Sequence, residues 1–144
     1  MEIKDRTRLE IKGKGEQVKN MAADLIIRDS ISVCFFGRPA LDPRTLVDIV
    51  SSLLGLTWSI DDFKEVGMRV MCQERLFNMR EAAITPKDDS LPPRLLNEPK
   101  PDGPTAGVVV TLEELKEDYY RAVGWDLLTG NPKVSLLKKL EIEE

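Results

Sequence analysis

The sequence predicts an all-α fold, an irregular multihelical array with a proline-rich meander between helices. Three observations carry this expectation. Apolar residues recur at the i, i+3, i+4 spacing of one helix face in several separate segments. Residues that start and stop helices punctuate those segments. Strand signals reduce to the three valines at 108–110. The chain is long enough, at 144 residues, to bury a real core, and residues 1–144 are expected to form a single helical domain.

The elements follow in order. Residues 1–13 alternate weakly and read as a frayed segment or a short strand. Residues 16–29 place Val18, Met21, Ala22, Leu25 and Ile26 on one helical stripe, which should run out between Asp29 and Ser32. The next helix has Asp42 as N-cap, Pro43 at its first position and Gly55 as its stop, with Leu46, Ile49, Val50 and Leu53 as the apolar face. A third starts at Ser59, with Asp62 in the role of a short capping box, and runs on through Phe63, Val66, Val70, Phe77 and Met79. Gly67 lies inside it, where a glycine lets another helix approach closely. Residues 84–107 are dense in proline, which removes donors and disfavours helix before it, and Leu91, Leu95 and Leu96 are expected to anchor this meander to the core. Thr111 and Glu114 spell a capping box for a helix ending at Gly124. A short terminal helix over 132–142 turns Val134, Leu137 and Leu140 inward.

Composition excludes several functions. The net charge is −4 and the basic residues are scattered, so there is no electrostatic footprint for nucleic acid. No apolar run approaches the length that spans a bilayer. The charged start lacks the apolar core of a signal peptide, so the expected location is cytoplasmic. There is no histidine, which removes the usual catalytic triads and most zinc sites, and neither a P-loop nor a G-x-G-x-x-G run occurs.

Two cysteines remain, and free thiols are expected for both. Cys34, in the stretch DSISVCFFG, reads either as a small buried hydrophobe or as a metal or cluster ligand just past a helix end. A cubane iron–sulfur cluster takes about four thiolates. This chain offers two cysteines, so another polypeptide would have to complete such a cluster. Cys72 lies mid-helix and reads as core. Asp29 stands at a helix end, where a carboxylate opposes the helix dipole unless donors offset it. Glu74, Arg75, Arg80 and Glu81 read as a surface salt-bridge lattice, with Arg80 as an alternative anchor for the meander. Tyr119, Tyr120 and Trp125 read as core and rim aromatics.

Read together, the segments resemble a known family. ERLFN-x-RE at 74–81, LPPR at 91–94, PDGP at 101–104 and YY-x-x-x-GWD at 119–126 stand in the order and spacing of the C-terminal part of the tungsten-containing aldehyde ferredoxin oxidoreductases. The family's D-x-x-G-L-C motif aligns with Asp29-Ser-Ile-Ser-Val-Cys34. The resemblance covers roughly residues 16–142.

That resemblance implies a set of expectations. Members of the family oxidise aldehydes to carboxylic acids and pass the electrons to ferredoxin. They use tungsten or molybdenum held by two molybdopterin-type cofactors (a bis-pterin centre), with a 4Fe-4S cluster nearby. Carried over by position, Asp29 is the expected pterin contact and Cys34 the expected fourth cluster ligand. Val33 stands in the leucine position and would pack or hydrogen-bond beside the pterin through its backbone. No catalytic residue is assigned to this segment. The expected partners are the N-terminal pterin-binding polypeptide of the same enzyme and, through the assembled enzyme, ferredoxin; without the former no activity is expected. Three departures stand out. Ser32 and Val33 replace Gly and Leu; Ala82 and Ala83 replace Gly and Phe; and the family's three closely spaced cysteines and its substrate-side histidine have no counterpart here. The departures leave an alternative, a free-standing helical interaction module without a cofactor that keeps the family scaffold.

Overall fold

The computed structural model describes residues 9–143. Six α-helices lie among them: α1 (Lys14–Ser30), α2 (Pro43–Leu54), α3 (Ile60–Glu81), α4 (Pro93–Asn97), α5 (Leu112–Val123) and α6 (Val134–Lys139). A 3₁₀ helix spans Phe35–Ala40 between α1 and α2. The described residues form no strand; their one β-bridge joins Trp125 to Pro132. The all-α expectation therefore holds, and 108–110 is not a strand. Val110 there donates its N–H to the Leu95 carbonyl at 3.1 Å, tying the end of the meander to α4. The expectation of a frayed segment or strand at the N-terminus falls mostly on residues 1–8, outside the described residues.

Helix α1 packs against both α3 and α5. Two glycines make the approach possible. A Cβ on Gly15 would lie 2.4 Å from the Asp118 carbonyl oxygen of α5. A Cβ on Gly67 of α3 would lie 2.5 Å from the Ala23 carbonyl oxygen of α1. Backbone therefore meets backbone on both sides of α1. The Asp118 carboxylate also accepts from the Gly15 N–H at 2.6 Å and the Gly13 N–H at 3.3 Å. A carboxylate from α5 thus occupies the positive end of the α1 dipole and satisfies donors that the helix cannot.

This arrangement shifts the buried face of α1 away from the expected stripe. The buried residues are Gly15, Ala23, Asp24, Ile27 and Arg28. Val18 is exposed, and Met21, Ala22, Leu25 and Ile26 are half-buried. Close helix contact selects small side chains at the crossing, so the buried arc centres on glycine and alanine rather than on the largest apolar residues.

Local cap chemistry accounts for most of the helix ends. The Asp42 carboxylate accepts from the N–H groups of Arg44 and Thr45, and Gly55 closes α2 at φ 66°. Ser59 and Asp62 form a reciprocal capping box at the start of α3. Gly124 closes α5 at φ 77°. Thr111 does not cap α5: its side chain makes no capping bond and its ψ is 73°, short of the extended geometry that lets an N-cap oxygen reach back over the first turn. Leu46, Val47 and Val50 bury the inner face of α2 against Ile27 and Phe63, whereas Ile49 and Leu53 of the expected stripe are exposed. Phe77 and Val134 are also exposed, against expectation, while Leu137 and Leu140 pack on Cys72.

The residue that secures the meander is Arg75, from ERLFN. It is buried, not a member of a surface lattice. Its Nη1 and Nη2 donate to the two Asp89 oxygens at 2.9 and 2.7 Å, and its Nε donates to the Gly130 carbonyl at 3.1 Å. The guanidinium carbon stands 4.8 Å from the Trp125 ring centroid, a cation–π contact. Tyr120 donates its hydroxyl hydrogen to Asp89. Arg80, the alternative anchor in the sequence reading, pairs at the surface with its neighbour Glu81 instead. Burial pushes the Asp89 carboxyl up, but hydrogen bonds from Arg75 and Tyr120, with the Arg75 charge, outweigh it and hold the group below the usual carboxylate range. The Tyr120 phenol is pushed up to about 12, first by burial and then by the hydrogen bond to Asp89 and its charge.

Two outcomes follow. Gly67→Ala should lower stability by about 2 kcal/mol in urea unfolding, because overpacking against α1 backbone outweighs the roughly 1 kcal/mol that alanine gains in a helix interior; a neutral or stabilising effect would show that α1 and α3 separate easily. Asp89→Asn should cost about 2 kcal/mol at pH 7, the range of a charge-assisted hydrogen bond. Because Asp89 titrates lower folded than unfolded, its contribution is fully present above about pH 4 and is lost as pH falls through the folded value. The gap between parent and variant should therefore close in acid, and a gap constant from pH 7 to pH 2 would contradict the assignment.

Candidate functional site

The Asp29–Cys34 loop is built by the way α1 ends. The Val33 N–H donates to the Arg28 carbonyl at 2.8 Å and the Ser32 N–H to the Asp29 carbonyl at 3.0 Å. Ser32 sits between them at φ 59°. This is the Schellman arrangement, in which the residue after the cap turns left-handed and satisfies the last carbonyls of the helix. That residue is usually glycine, and Ser32 stands where the aligned motif has glycine. Val33 then packs, half-buried, against the Ile27, Leu46, Val47, Val50 and Phe63 cluster. The apolar contact pins the loop to the body of the fold.

The pinned loop presents its two polar ends to the outside. Asp29 is exposed in the last turn of α1, and Cys34 is exposed at the start of the 3₁₀ helix. The Gly37 N–H donates to the Cys34 carbonyl at 2.9 Å, so Cys34 begins a tight turn. Phe35 and Phe36 follow it, 57% and 88% exposed, with ring centroids 5.8 Å apart edge to face. Ile31 adds a further exposed apolar side chain to the loop. An apolar surface rimmed by polar groups is the mark of a contact face. Behind the loop Arg28 is buried and chelates Asp24 one turn earlier, Nε to Oδ2 at 3.0 Å and Nη2 to Oδ1 at 3.2 Å.

The other thiol has a different fate. Cys72 is 0% exposed, packed by Leu137 and Leu140, and burial pushes its thiol up. That environment suppresses thiolate and so both nucleophilicity and metal binding. Among the described residues no group of three or more cysteine, aspartate or glutamate side chains is placed to hold a metal ion. The donor chemistry at the loop, one accessible thiol, fits one corner of an iron–sulfur cluster and no more. A cleft of about 660 Å³ under the meander, between α1 and α5, is walled by Leu112, Leu115 and Tyr119 and floored by the Arg75–Asp89 pair. The polar groups on that floor are already bonded to each other.

Sequence reasoning placed Asp29, Val33 and Cys34 on one loop; the structure puts Val33 and Cys34 in that loop and keeps Asp29 in the last turn of α1, because the helix runs on to Ser30 before the left-handed turn at Ser32 ends it. Sequence reasoning missed Arg28. Asp24 and Arg28 are legible as an i, i+4 acid–base pair, which ordinarily lies on a solvated helix face. Only the packing of α1 on its neighbours puts the pair inside.

Comparison with known proteins gives a consistent result. Residues 1–142 match the family described as "Aldehyde ferredoxin oxidoreductase, domains 2 & 3". A tungsten-containing aldehyde ferredoxin oxidoreductase of Pyrococcus horikoshii is 37% identical over 116 residues, covering 81% of this chain and 19% of that protein. Proteins of the same description from Thermococcus kodakarensis and Pyrococcus furiosus are 37% and 36% identical over 97 residues, covering 67% of this chain and 16% of each protein. The chain thus spans about a fifth of the length of the curated relatives it matches.

The left-handed position carries its own expectation. Ser32→Gly should raise stability by about 0.5 kcal/mol, since relief of a left-handed non-glycine residue slightly exceeds the entropy that glycine adds to the unfolded chain. Urea unfolding of parent and variant measures it, and a loss of stability would mean that the serine hydroxyl makes a contact the backbone argument omits.

Proposed function

The chain belongs to the aldehyde ferredoxin oxidoreductase family, matching its domains 2 and 3, and from that premise we propose that it acts as the C-terminal part of a tungsten- or molybdenum-pterin aldehyde oxidoreductase. In this reading Cys34 gives one thiolate to a 4Fe-4S cluster, and Asp29 and Val33 contact a pterin. An N-terminal polypeptide of the same enzyme supplies the remaining cluster ligands and most of the pterin site. When bound, the metal–pterin centre supplies the oxidation of aldehyde to carboxylate, and the cluster carries the electrons toward ferredoxin.

One observation carries the reading: an accessible thiol held on a fixed helix-end loop, between an exposed carboxylate and an exposed aromatic pair. A thiolate suits iron, and soft ligation favours clusters over hard cations. The Asp29 carboxylate has acceptor oxygens for the N–H groups of a pterin ring. The Val33 N–H is already given to Arg28, so any backbone contact to the pterin falls to the Val33 carbonyl. Phe35 and Phe36 would be covered when the partner packs over the loop, which removes their apolar area from water.

Anaerobic co-production with a pterin-domain polypeptide carrying three cysteines should give a stable complex containing iron and tungsten or molybdenum, and aldehyde-dependent reduction of a ferredoxin-type acceptor. Cys34→Ser in that complex should abolish or alter the electron paramagnetic resonance signal of the reduced cluster. An unchanged signal removes Cys34 as a ligand. Failure of the two chains to associate, with a monomer that remains colourless, would favour the cofactor-free module.

A further inference from the structure

We propose that Arg28 is a positioning residue for Cys34, acting through the last turn of α1; the inference rests on the reading of the Asp29–Cys34 loop given above. Three features of Arg28 carry it. The side chain is 2% exposed, among the most deeply buried in the chain. Its guanidinium grips Asp24 through two nitrogens, while the third, Nη1, is buried with no hydrogen-bond partner. Its carbonyl accepts the Val33 N–H, the bond that closes the loop immediately before Cys34.

A buried ion pair with an unsatisfied donor is a poor source of stability. Desolvation of both charges offsets most of their attraction, and apolar replacements of such pairs are often neutral or better. The effect of this pair is instead local. It spans residues 24–28, and that turn carries the Ile27 and Arg28 carbonyls that accept the N–H groups of Ile31 and Val33. The last turn of a helix opens more readily than its middle, because its carbonyls lack intrahelical partners. A bidentate clamp that ties Arg28 in that turn to Asp24 one turn earlier keeps both acceptors in register and so fixes where the loop delivers Cys34. Arg28 touches no reacting group in this scheme. It sets geometry through the backbone.

The test uses the full chain first and needs no cofactor. In Asp24→Asn/Arg28→Met, which removes the clamp together with both of its charges, amide hydrogen exchange at Val33 should accelerate about tenfold or more. The amides in the middles of α3 and α5 should keep their parent rates. Parent-like exchange at Val33, or acceleration only in step with α3 and α5, would overturn the proposal, the latter by showing a global structural role. If the double variant does not fold, Arg28→Lys, which keeps the charge with fewer donors, must still speed Val33 exchange, and a parent-like rate overturns the proposal. In the complex with the pterin-domain polypeptide, loss of the clamp should change the line shape of the cluster's paramagnetic resonance signal, and Arg28→Lys should restore it in part; a parent line shape in the variant counts against the proposal. A complex that holds no cluster even with the parent chain defeats the cluster reading alone, and the exchange result then decides whether Arg28 orders the loop.

Discussion

Arg75 directs each of its guanidinium nitrogens at a partner, and those partners come from distant parts of the chain. Asp89 lies 14 positions away, Tyr120 45 and Gly130 55. The side chain leaves α3, crosses under the start of the meander and reaches the loop between α5 and α6. The Trp125 ring covers one face of the guanidinium, and Tyr120 closes the circuit by donating to the same carboxylate. A planar fork with five donors suits this role, since lysine could supply neither the bidentate pair nor the stacked contact. The motifs that define the resemblance in sequence, ERLFN and YY-x-x-x-GWD, meet at this point. Their shared task is to hold the frame, which explains why none of them reads as chemistry.

That frame fixes α1, and α1 fixes the site. The Arg75 circuit sets α3 and α5 relative to each other. Between them α1 is gripped at Gly15 and Ala23, with Asp118 capping one end. Its other end is thereby placed, and the Schellman turn at Ser32 hands the chain on to Cys34. The candidate site thus lies at the end of a helix gripped on two sides. A metal-cluster ligand benefits from such a mount, because positional error at the ligand becomes strain or lost affinity at the metal. The same mount leaves an aromatic pair and a thiol exposed.

The parts legible in the sequence were those decided locally. Asp42 with Pro43, Ser59 with Asp62, and the closing glycines Gly55 and Gly124 fix helix ends through contacts within a few residues, so type and spacing suffice. Thr111 had the right letters, but its backbone, drawn along by the meander, misses the cap geometry. The buried face of α1 was not legible, because it depends on how closely two helices far along the chain approach. Helical periodicity favours the largest apolar residues, whereas the packing chose Gly15 and Ala23. Arg75 and Arg28 were missed for the same reason. Each looks like half of a surface ion pair, and each is inside. At the candidate site, the end of α1 close to Cys34 was readable from DSISVC, and the left-handed turn was foreshadowed by the glycine of the aligned motif. The clamp that steadies the loop was not.

The two cysteines offer the most direct test of the central claim, that the Cys34 loop is a face completed by another polypeptide while the rest is frame. Differential alkylation read by mass spectrometry should find Cys34 reactive and Cys72 protected in the chain alone, as their exposures require. After anaerobic assembly with the pterin-domain polypeptide and iron, Cys34 should become protected and Cys72 should stay so. Equal labelling of Cys34 before and after assembly, in a complex shown to contain both chains and a cluster, would contradict the account.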